Sequence, residues 1–104
     1  MSKQLKGSAR TYLRGLAHHL KPVVYLGKQG VTDGFIESVN QALDTHELIK
    51  LKFNSFKEER KTLAKDIEAR TNSEMVGMIG HIAIYYREQH DADKRKIQIP
   101  DRMR

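Results

Sequence analysis

A short apolar run that ends in a glycine turn is the feature around which this sequence is arranged. The run Val23 to Leu26 is followed by Gly27-Lys28-Gln29-Gly30, and a helical pattern begins at Thr32. Pro22 stops a preceding helix from continuing into the run. The order predicts a strand over residues 23–26, a tight turn and then a helix. Because the strand is apolar throughout, we expect it to be central in a sheet and buried on both faces.

Helical and strand-like patterns alternate along the rest of the chain. They predict helices over about 8–20, 32–46 and 55–70, and strands over 48–53, 74–79 and 82–87. Ser8 and Thr32 are the expected N-caps of the first two helices. Ser55 and Glu58 match a capping box for the third. Residues 97–100 fit either a short edge strand or a tail.

The order α-β-α-β-α-β-β predicts an α/β fold. Two strand–helix–strand units favour right-handed crossovers and parallel pairing. Gly80-His81 suits a type II′ hairpin turn, which adds an antiparallel edge. We therefore expect a compact two-layer α/β sandwich with a four-stranded mixed sheet. It would form one domain over residues 1–100, followed by a polar tail at 101–104.

The positive charge is concentrated at or before the glycine turn. The formal net charge is +6, and residues 1–30 contain no Asp or Glu. Their cations are Lys3, Lys6, Arg10, Arg14, Lys21 and Lys28. Helical spacing gathers all of these except Lys28 on one side of the first helix, away from its apolar stripe. Such segregation favours a polyanion, most often nucleic acid, as partner. The alternative is a solvated basic helix that binds nothing.

Catalytic and metal-binding chemistry finds little support in the sequence. The chain has no cysteine, which excludes disulfides and thiolate metal sites. His18 and His19 are adjacent, so on a helix they point about 100° apart and make a poor metal pair. His46 and His81 lack a carboxylate at ligand spacing, and neither a P-loop nor a dinucleotide-binding motif is present. We predict no enzymatic activity, no metal, no cofactor and no small-molecule substrate.

The sequence also lacks an apolar run of membrane-spanning length and the apolar block of a signal peptide. We therefore expect no membrane association, and a cytoplasmic protein.

The basic helix, the strand, the glycine turn and the helix start together resemble the KH arrangement, in which a G-x-x-G loop clamps a nucleic-acid backbone. Lys28 would supply charge, Gln29 a hydrogen bond and the glycines room for close approach. Asp33 lies in the first turn of the following helix, where it would lower phosphate affinity and limit the surface. On its own, a G-x-x-G pattern between a strand and a helix is most often an ordinary tight turn.

The tyrosines divide into two groups. Tyr12 and Tyr25 lie on apolar patterns and are expected in the core or half-buried. Tyr85 and Tyr86 are adjacent on the last strand, so one of them faces away from the core. That tyrosine could stack on a base or pack against a helix.

Several segments taken together resemble the CRM domain (chloroplast RNA splicing and ribosome maturation), in its bacterial stand-alone, YhbY-like form. They are residues 16–18, 20–24, 26–32, 46–52 and Ile79-Gly80, before a Tyr-containing strand that ends in Arg87. The resemblance covers roughly Leu5 to Pro100. It implies an α/β sandwich similar to the C-terminal domain of bacterial translation initiation factor 3. It also implies RNA binding without catalysis, and a role in assembly of the large ribosomal subunit.

Carried over by position, the resemblance assigns RNA contact to Gly27, Lys28, Gln29, Gly30 and Lys21. Arg10 and Arg14 join this set from the charge stripe alone. The resulting prediction is a monomeric, non-enzymatic protein that binds ribosomal RNA in precursors of the large subunit. One alternative is a protein-interaction module that docks on a ribosomal protein or translation factor. Another is an enzyme whose site the sequence does not reveal.

Overall fold

The computed structural model describes residues 5–103, which form three α-helices and four β-strands in the predicted order. They are α1 (Gly7–Ala17), β1 (Val24–Leu26), α2 (Asp33–His46), β2 (Leu48–Phe53), α3 (Arg60–Thr71), β3 (Glu74–Ile79) and β4 (Ile82–Tyr86). Short 3-10 turns follow at Ala92–Lys94 and Asp101–Met103. Lys3 and Arg104, which the sequence analysis placed in the charge stripe and the tail, lie outside the described residues.

The four strands form one mixed sheet, in the order β1-β2-β4-β3. β1 runs parallel to β2, while β4 is antiparallel to both β2 and β3. The α/β class and the mixed sheet are thus confirmed. The prediction that β1 is central is wrong, because β4 pairs with the other side of β2 and leaves the three-residue β1 at an edge. The apolar sequence of β1 does not indicate that one side of the strand is exposed. Tyr25 lies on that side and is 53% exposed.

The sheet has a hydrophobic core on each face. The larger core lies between the sheet and the helices α2 and α3, with Leu43, Leu51, Phe53 and Tyr85 among its fully buried side chains. The sheet with α2 and α3 matches the predicted two-layer sandwich. α1 departs from that prediction, because it covers part of the opposite face and packs Leu13 there in a smaller core with the sheet.

The C-terminal segment reaches the smaller core as well. Ile99 is buried there, and residues 97–100 form no strand, so the tail alternative holds.

Two of the three predicted helix starts differ from the structure. Thr32 caps α2 as expected, since its Oγ1 accepts a hydrogen bond from Phe35 N at 3.1 Å. Ser8 is not a cap, because α1 begins one residue earlier, after Lys6, and it ends at Ala17 rather than Leu20. The Ser55–Glu58 capping box does not form either. α3 begins at Arg60 because the residues before it fold into a separate loop.

The predicted hairpin connects β3 and β4 through Gly80 and His81, with Ile79 and Ile82 as paired ends. Gly80 has φ +58°, whereas His81 does not share a positive φ. A positive φ at the first position alone fits the predicted type II′ turn.

Glu47 ties the C-terminal segment to the sheet. This residue connects α2 to β2 with φ +64° and is 1% exposed. Its carboxylate accepts hydrogen bonds from the backbone N–H groups of Gln89, Lys96 and Ile97. A buried carboxylate is stable only when hydrogen-bonded in this way. The segment after β4 is therefore an integral part of the fold.

Candidate nucleic-acid interface

The glycine turn, residues 27–30, projects from the carboxyl end of β1 as a β-turn. Gly30 N donates to Gly27 O at 3.1 Å, so Lys28 and Gln29 occupy the two exposed corners. Gly30 has φ +78°, a conformation that glycine adopts at little cost. The turn thus presents one ammonium group and one amide to solvent, directly before the start of α2.

A second loop, residues 54–57, packs against the base of the turn. Asn54 N and Ser55 N both donate to Leu26 O, each at 3.1 Å. The Phe56 ring lies against Gly30, with two ring carbons 3.5 Å from the position that a Cβ there would take. Phe56 itself has φ +57°. The base of the turn is therefore fixed by contacts that the sequence did not indicate, since the two loops are far apart along the chain.

Asp33 is paired with a cation. Its Oδ1 lies 3.0 Å from Nη2 of Arg70, near the end of α3. Arg70 also donates to Val31 O at 3.4 Å. The guanidinium thus sits beside the segment that joins the glycine turn to α2. Arg70 was missed because it is 37 residues from Asp33 in sequence and only the packing of α3 beside α2 brings the two together.

The outer side of β1 and β2 carries aromatic and basic side chains together. Tyr25 and Lys52 are register partners in the parallel pair, so their side chains point to the same side of the sheet. Both residues are exposed. Tyr25 Oη donates to Pro22 O at 3.2 Å. The prediction that Tyr25 lies in the core or half-buried is therefore wrong, because α1 packs chiefly on β2, β3 and β4 and leaves β1 uncovered on this side.

Tyr85 and Tyr86 are both buried, at 0% and 5% exposure, so neither offers a ring to a base. Tyr85 Oη donates to Ala64 O at 2.8 Å beneath α3. Burial, with the nearby Glu68 carboxylate as the smaller cause, raises the pKa of Tyr85 far above its ordinary value. Tyr86 packs in the smaller core with α1. The alternative in which the outward tyrosine packs against a helix is the one observed. Tyr12 is half-buried, as predicted.

Arg10 and Arg14 do not join the glycine turn. Arg10 Nε lies 3.2 Å from Glu74 Oε2, and Arg14 Nη1 donates to Val76 O at 2.8 Å. Both partners belong to β3, at the opposite edge of the sheet from β1, and three strand spacings separate those edges by about 14 Å. Gly77 makes room for Arg14, since a Cβ there would lie 2.7 Å from Arg14 Cδ. Each arginine thus has a structural partner.

Lys21 is exposed at the amino end of β1, and the glycine turn is at its carboxyl end. The structure therefore places Lys21, Lys28 and Gln29 along one edge of the sheet, together with the backbone of Gly27 and Gly30. Arg10 and Arg14 are excluded from this group by position. We call the set Lys21, Tyr25, Lys28, Gln29 and Lys52 the β1 surface.

An apolar groove of about 600 Å³ lies near the start of β1. Its lining includes Leu16, Leu20, Val23 and Ile97, with Lys21 and Lys96 also bordering it. Within residues 5–103, no three His, Asp or Glu side chains are placed to hold a metal ion. None of the helices in that range is long and apolar enough to cross a membrane.

Comparisons with known proteins agree on one family. The family model of the CRS1/YhbY (CRM) domain matches residues 5–87. A protein of Haemophilus influenzae named "RNA-binding protein" is 40% identical over 97 residues, covering 92% of this chain and 95% of that protein. The "Probable RNA-binding protein YqeI" of Bacillus subtilis is 32% identical, with 92% and 99% covered.

A solved structure shares the fold of this chain. The solution structure of a Staphylococcus aureus protein matches with a TM-score of 0.74 at 33% identity, covering 91% of this chain and all of that one. The fold, the glycine turn between β1 and α2, and a family match over most of the chain agree. The chain belongs to the CRS1/YhbY (CRM) domain family.

Proposed function

We propose that this protein binds RNA, without catalysing a reaction, through the β1 surface. The observation that carries the proposal is the grouping of exposed cations along the β1 edge of the sheet. Residues 21–32 and the strand β2 contain no Asp or Glu, so no carboxylate from those segments competes with phosphate for the cations. The names of the relatives from Haemophilus influenzae and Bacillus subtilis, both RNA-binding, support RNA as the polyanion.

The proposed mechanism is electrostatic and geometric. Lys28 contacts phosphate from the corner of the turn, and Gln29 donates a hydrogen bond from the adjacent corner. Gly27 keeps the backbone free of a side chain that would hold RNA away, and Gly30 supplies the positive φ that the turn needs. Phosphate contacts carry no sequence information, so selectivity comes from the shape and base exposure of the RNA.

We further propose that the RNA is ribosomal RNA in precursors of the large subunit, and that the protein assists assembly as a cytoplasmic monomer. The family resemblance supports this finer assignment. Crosslinking RNA to the protein in growing cells and sequencing the attached fragments tests it directly. Enrichment of large-subunit precursor rRNA is expected. Enrichment of unrelated messenger RNAs would contradict the ribosomal assignment and leave RNA binding intact. Light scattering of the purified protein measures its molar mass and so tests whether it is a monomer.

Salt dependence tests the electrostatic mechanism. If the three lysines of the β1 surface contact phosphate, the logarithm of affinity falls with the logarithm of salt at a slope of roughly −2, using about 0.7 per contact for single strands. A fluorescence anisotropy titration of labelled single-stranded RNA at several salt concentrations measures this slope. An interaction insensitive to salt would rule the mechanism out.

The second candidate is a module that docks on a ribosomal protein or a translation factor. The apolar groove is the observation that favours it, because Leu16, Leu20 and Val23 are each 39–48% exposed there. A pull-down before and after RNase treatment separates the candidates. A partner bound through RNA is lost on treatment, whereas a protein docked in the groove is retained.

A further inference from the structure

We propose that Tyr25 is a base-stacking residue, and that the RNA on the β1 surface is therefore a segment with an unpaired base. This inference rests on the proposed function and deepens it. Lys28 and Gln29 account for contact with the RNA backbone. Tyr25 adds a contact with a nucleobase, which distinguishes an unpaired strand from a duplex because bases in a duplex are already stacked on each other.

The exposure of Tyr25 is the first observation. Its side chain lies on β1, where Val24 and Leu26 on the other side are 6% and 0% exposed. Tyr25 is 53% exposed by contrast, and α1 packs chiefly on β2, β3 and β4. The hydrogen bond from its Oη to Pro22 O restrains the ring along the strand. A large exposed ring held at its far end loses little conformational entropy when a base stacks on it.

The charges around Tyr25 are the second observation. Lys52 is its register partner on the same side of the sheet. Lys28 follows three residues later at the corner of the turn, and Lys21 precedes it by four. A base stacked on Tyr25 would have its own phosphate within reach of these ammonium groups. Aromatic rings beside a basic track are the arrangement by which proteins hold single-stranded nucleic acid.

The other aromatic side chains near the turn are less exposed than Tyr25. Phe56 packs against Gly30 at the base of the turn and is 39% exposed. Tyr85 and Tyr86 are buried in the two cores. Among the aromatic residues of the four strands, Tyr25 is therefore the one on which a base can stack without a rearrangement of the fold.

Substitution of Tyr25 separates stacking from charge. Tyr25→Ala is expected to lower affinity for single-stranded RNA by about 5- to 150-fold, because base–aromatic stacking has that effect per base. The salt slope should stay unchanged, since no charge is removed. Tyr25→Phe should bind nearly as the wild type does. Val23→Ala, one residue before β1 and 48% exposed, is the matched control and should leave affinity unchanged. Circular dichroism confirms that each variant is folded.

The outcomes are distinguishable. If the wild type binds RNA and Tyr25→Ala binds equally well, this inference is overturned and the proposed function stands. If the wild type does not bind RNA, both are overturned. A loss of affinity in Tyr25→Ala accompanied by an equal loss in Val23→Ala would also overturn it, because the effect would then belong to the strand rather than to the ring.

A tryptophan reporter gives a second, direct test. The chain contains no tryptophan, so Tyr25→Trp carries a single indole at the site. Single-stranded RNA should quench its fluorescence, and an oligonucleotide of abasic spacers with the same phosphates should not. Leu16→Trp in the apolar groove is the control and should respond to neither ligand. Equal quenching of Tyr25→Trp by the abasic oligonucleotide would show that the ring senses phosphate alone and would overturn the proposal.

Discussion

Arg70 and Asp33 form an ion pair, 3.0 Å from nitrogen to oxygen, between the end of α3 and the start of α2. The pair lies directly behind the glycine turn, where phosphate is proposed to bind. Asp33 alone would repel phosphate at this helix start. Asp66 Oδ2 also lies 3.7 Å from Arg70 Nη1, so the arginine partly neutralises two carboxylates. Removing the Arg70 charge and removing the Asp33 charge should therefore change RNA affinity in opposite directions.

We predict that Arg70→Ala weakens RNA binding and that Asp33→Asn strengthens it, each severalfold at low salt. Both groups are exposed, so thermal stability should change little in either variant. Anisotropy titrations and melting curves of the two variants measure these effects. If both variants weaken binding, the pair matters through its geometry and not through its charge.

Lys28→Ala should weaken binding to all single-stranded RNAs alike, by about 1 kcal/mol. It should also reduce the steepness of the salt dependence by about 0.7, the value of one phosphate contact. Lys57 makes a poor control, because it belongs to the loop that supports the turn. Lys65, exposed on α3, is the better one. An effect of Lys65→Ala as large as that of Lys28→Ala would place the RNA elsewhere.

Arg14→Ala should reduce stability more than it reduces RNA affinity. The substitution removes the hydrogen bond from Arg14 to Val76 O, which contributes about 1 kcal/mol to the free energy of unfolding. Arg14 lies at the sheet edge opposite the glycine turn, so the RNA titration should be close to that of the wild type. Urea unfolding and anisotropy on the same preparation compare the two effects. If Arg14→Ala instead leaves stability unchanged and lowers RNA affinity, Arg14 contacts RNA and the prediction is contradicted.

Tyr85 should make the protein less stable at alkaline pH. In the folded state its pKa is raised, so the hydroxyl keeps its proton, whereas in the unfolded chain it ionises near pH 10. The unfolded state then binds fewer protons above that pH, and stability falls as pH rises. One such group contributes a slope of at most about 1.4 kcal/mol per pH unit.

Tyr85→Phe tests this contribution. The variant should lose about 1 kcal/mol at neutral pH, through the missing bond to Ala64 O. Above about pH 10 its stability should fall less steeply than that of the wild type. Urea unfolding of both proteins from pH 8 to 11 gives the comparison. Parallel curves would show that Tyr85 ionises equally in both states.

The sequence predicts the structure correctly where a local pattern determines the result. Alternation over residues 48–53 and the Thr32 cap are properties of neighbouring residues, and both agree with the structure. The wrong predictions arise where contacts between segments distant in the sequence determine the structure. Residues 23–26 are apolar throughout, but whether such a strand is central depends on which strands pair with it. Phe56 and Arg70 reach the turn only through tertiary packing, and no spacing in the sequence reports that contact.

The arginines illustrate the same limit at the site. A helical wheel places Arg10 and Arg14 on a common side, and the structure agrees that both lie where α1 meets β3. The wheel does not show which edge of the sheet that side faces. It therefore cannot separate a cation that holds the fold together from one that meets a ligand.

The Glu47 contacts have a practical consequence for dissecting this protein. The family match ends at residue 87, whereas the Glu47 carboxylate accepts hydrogen bonds from residues 89, 96 and 97. A fragment cut at the family boundary would leave that carboxylate without these partners and uncover the core around Ile99. The segment that sequence comparison recognises is thus shorter than the segment that must be made for the domain to fold, and a minimal RNA-binding fragment should extend past Ile99.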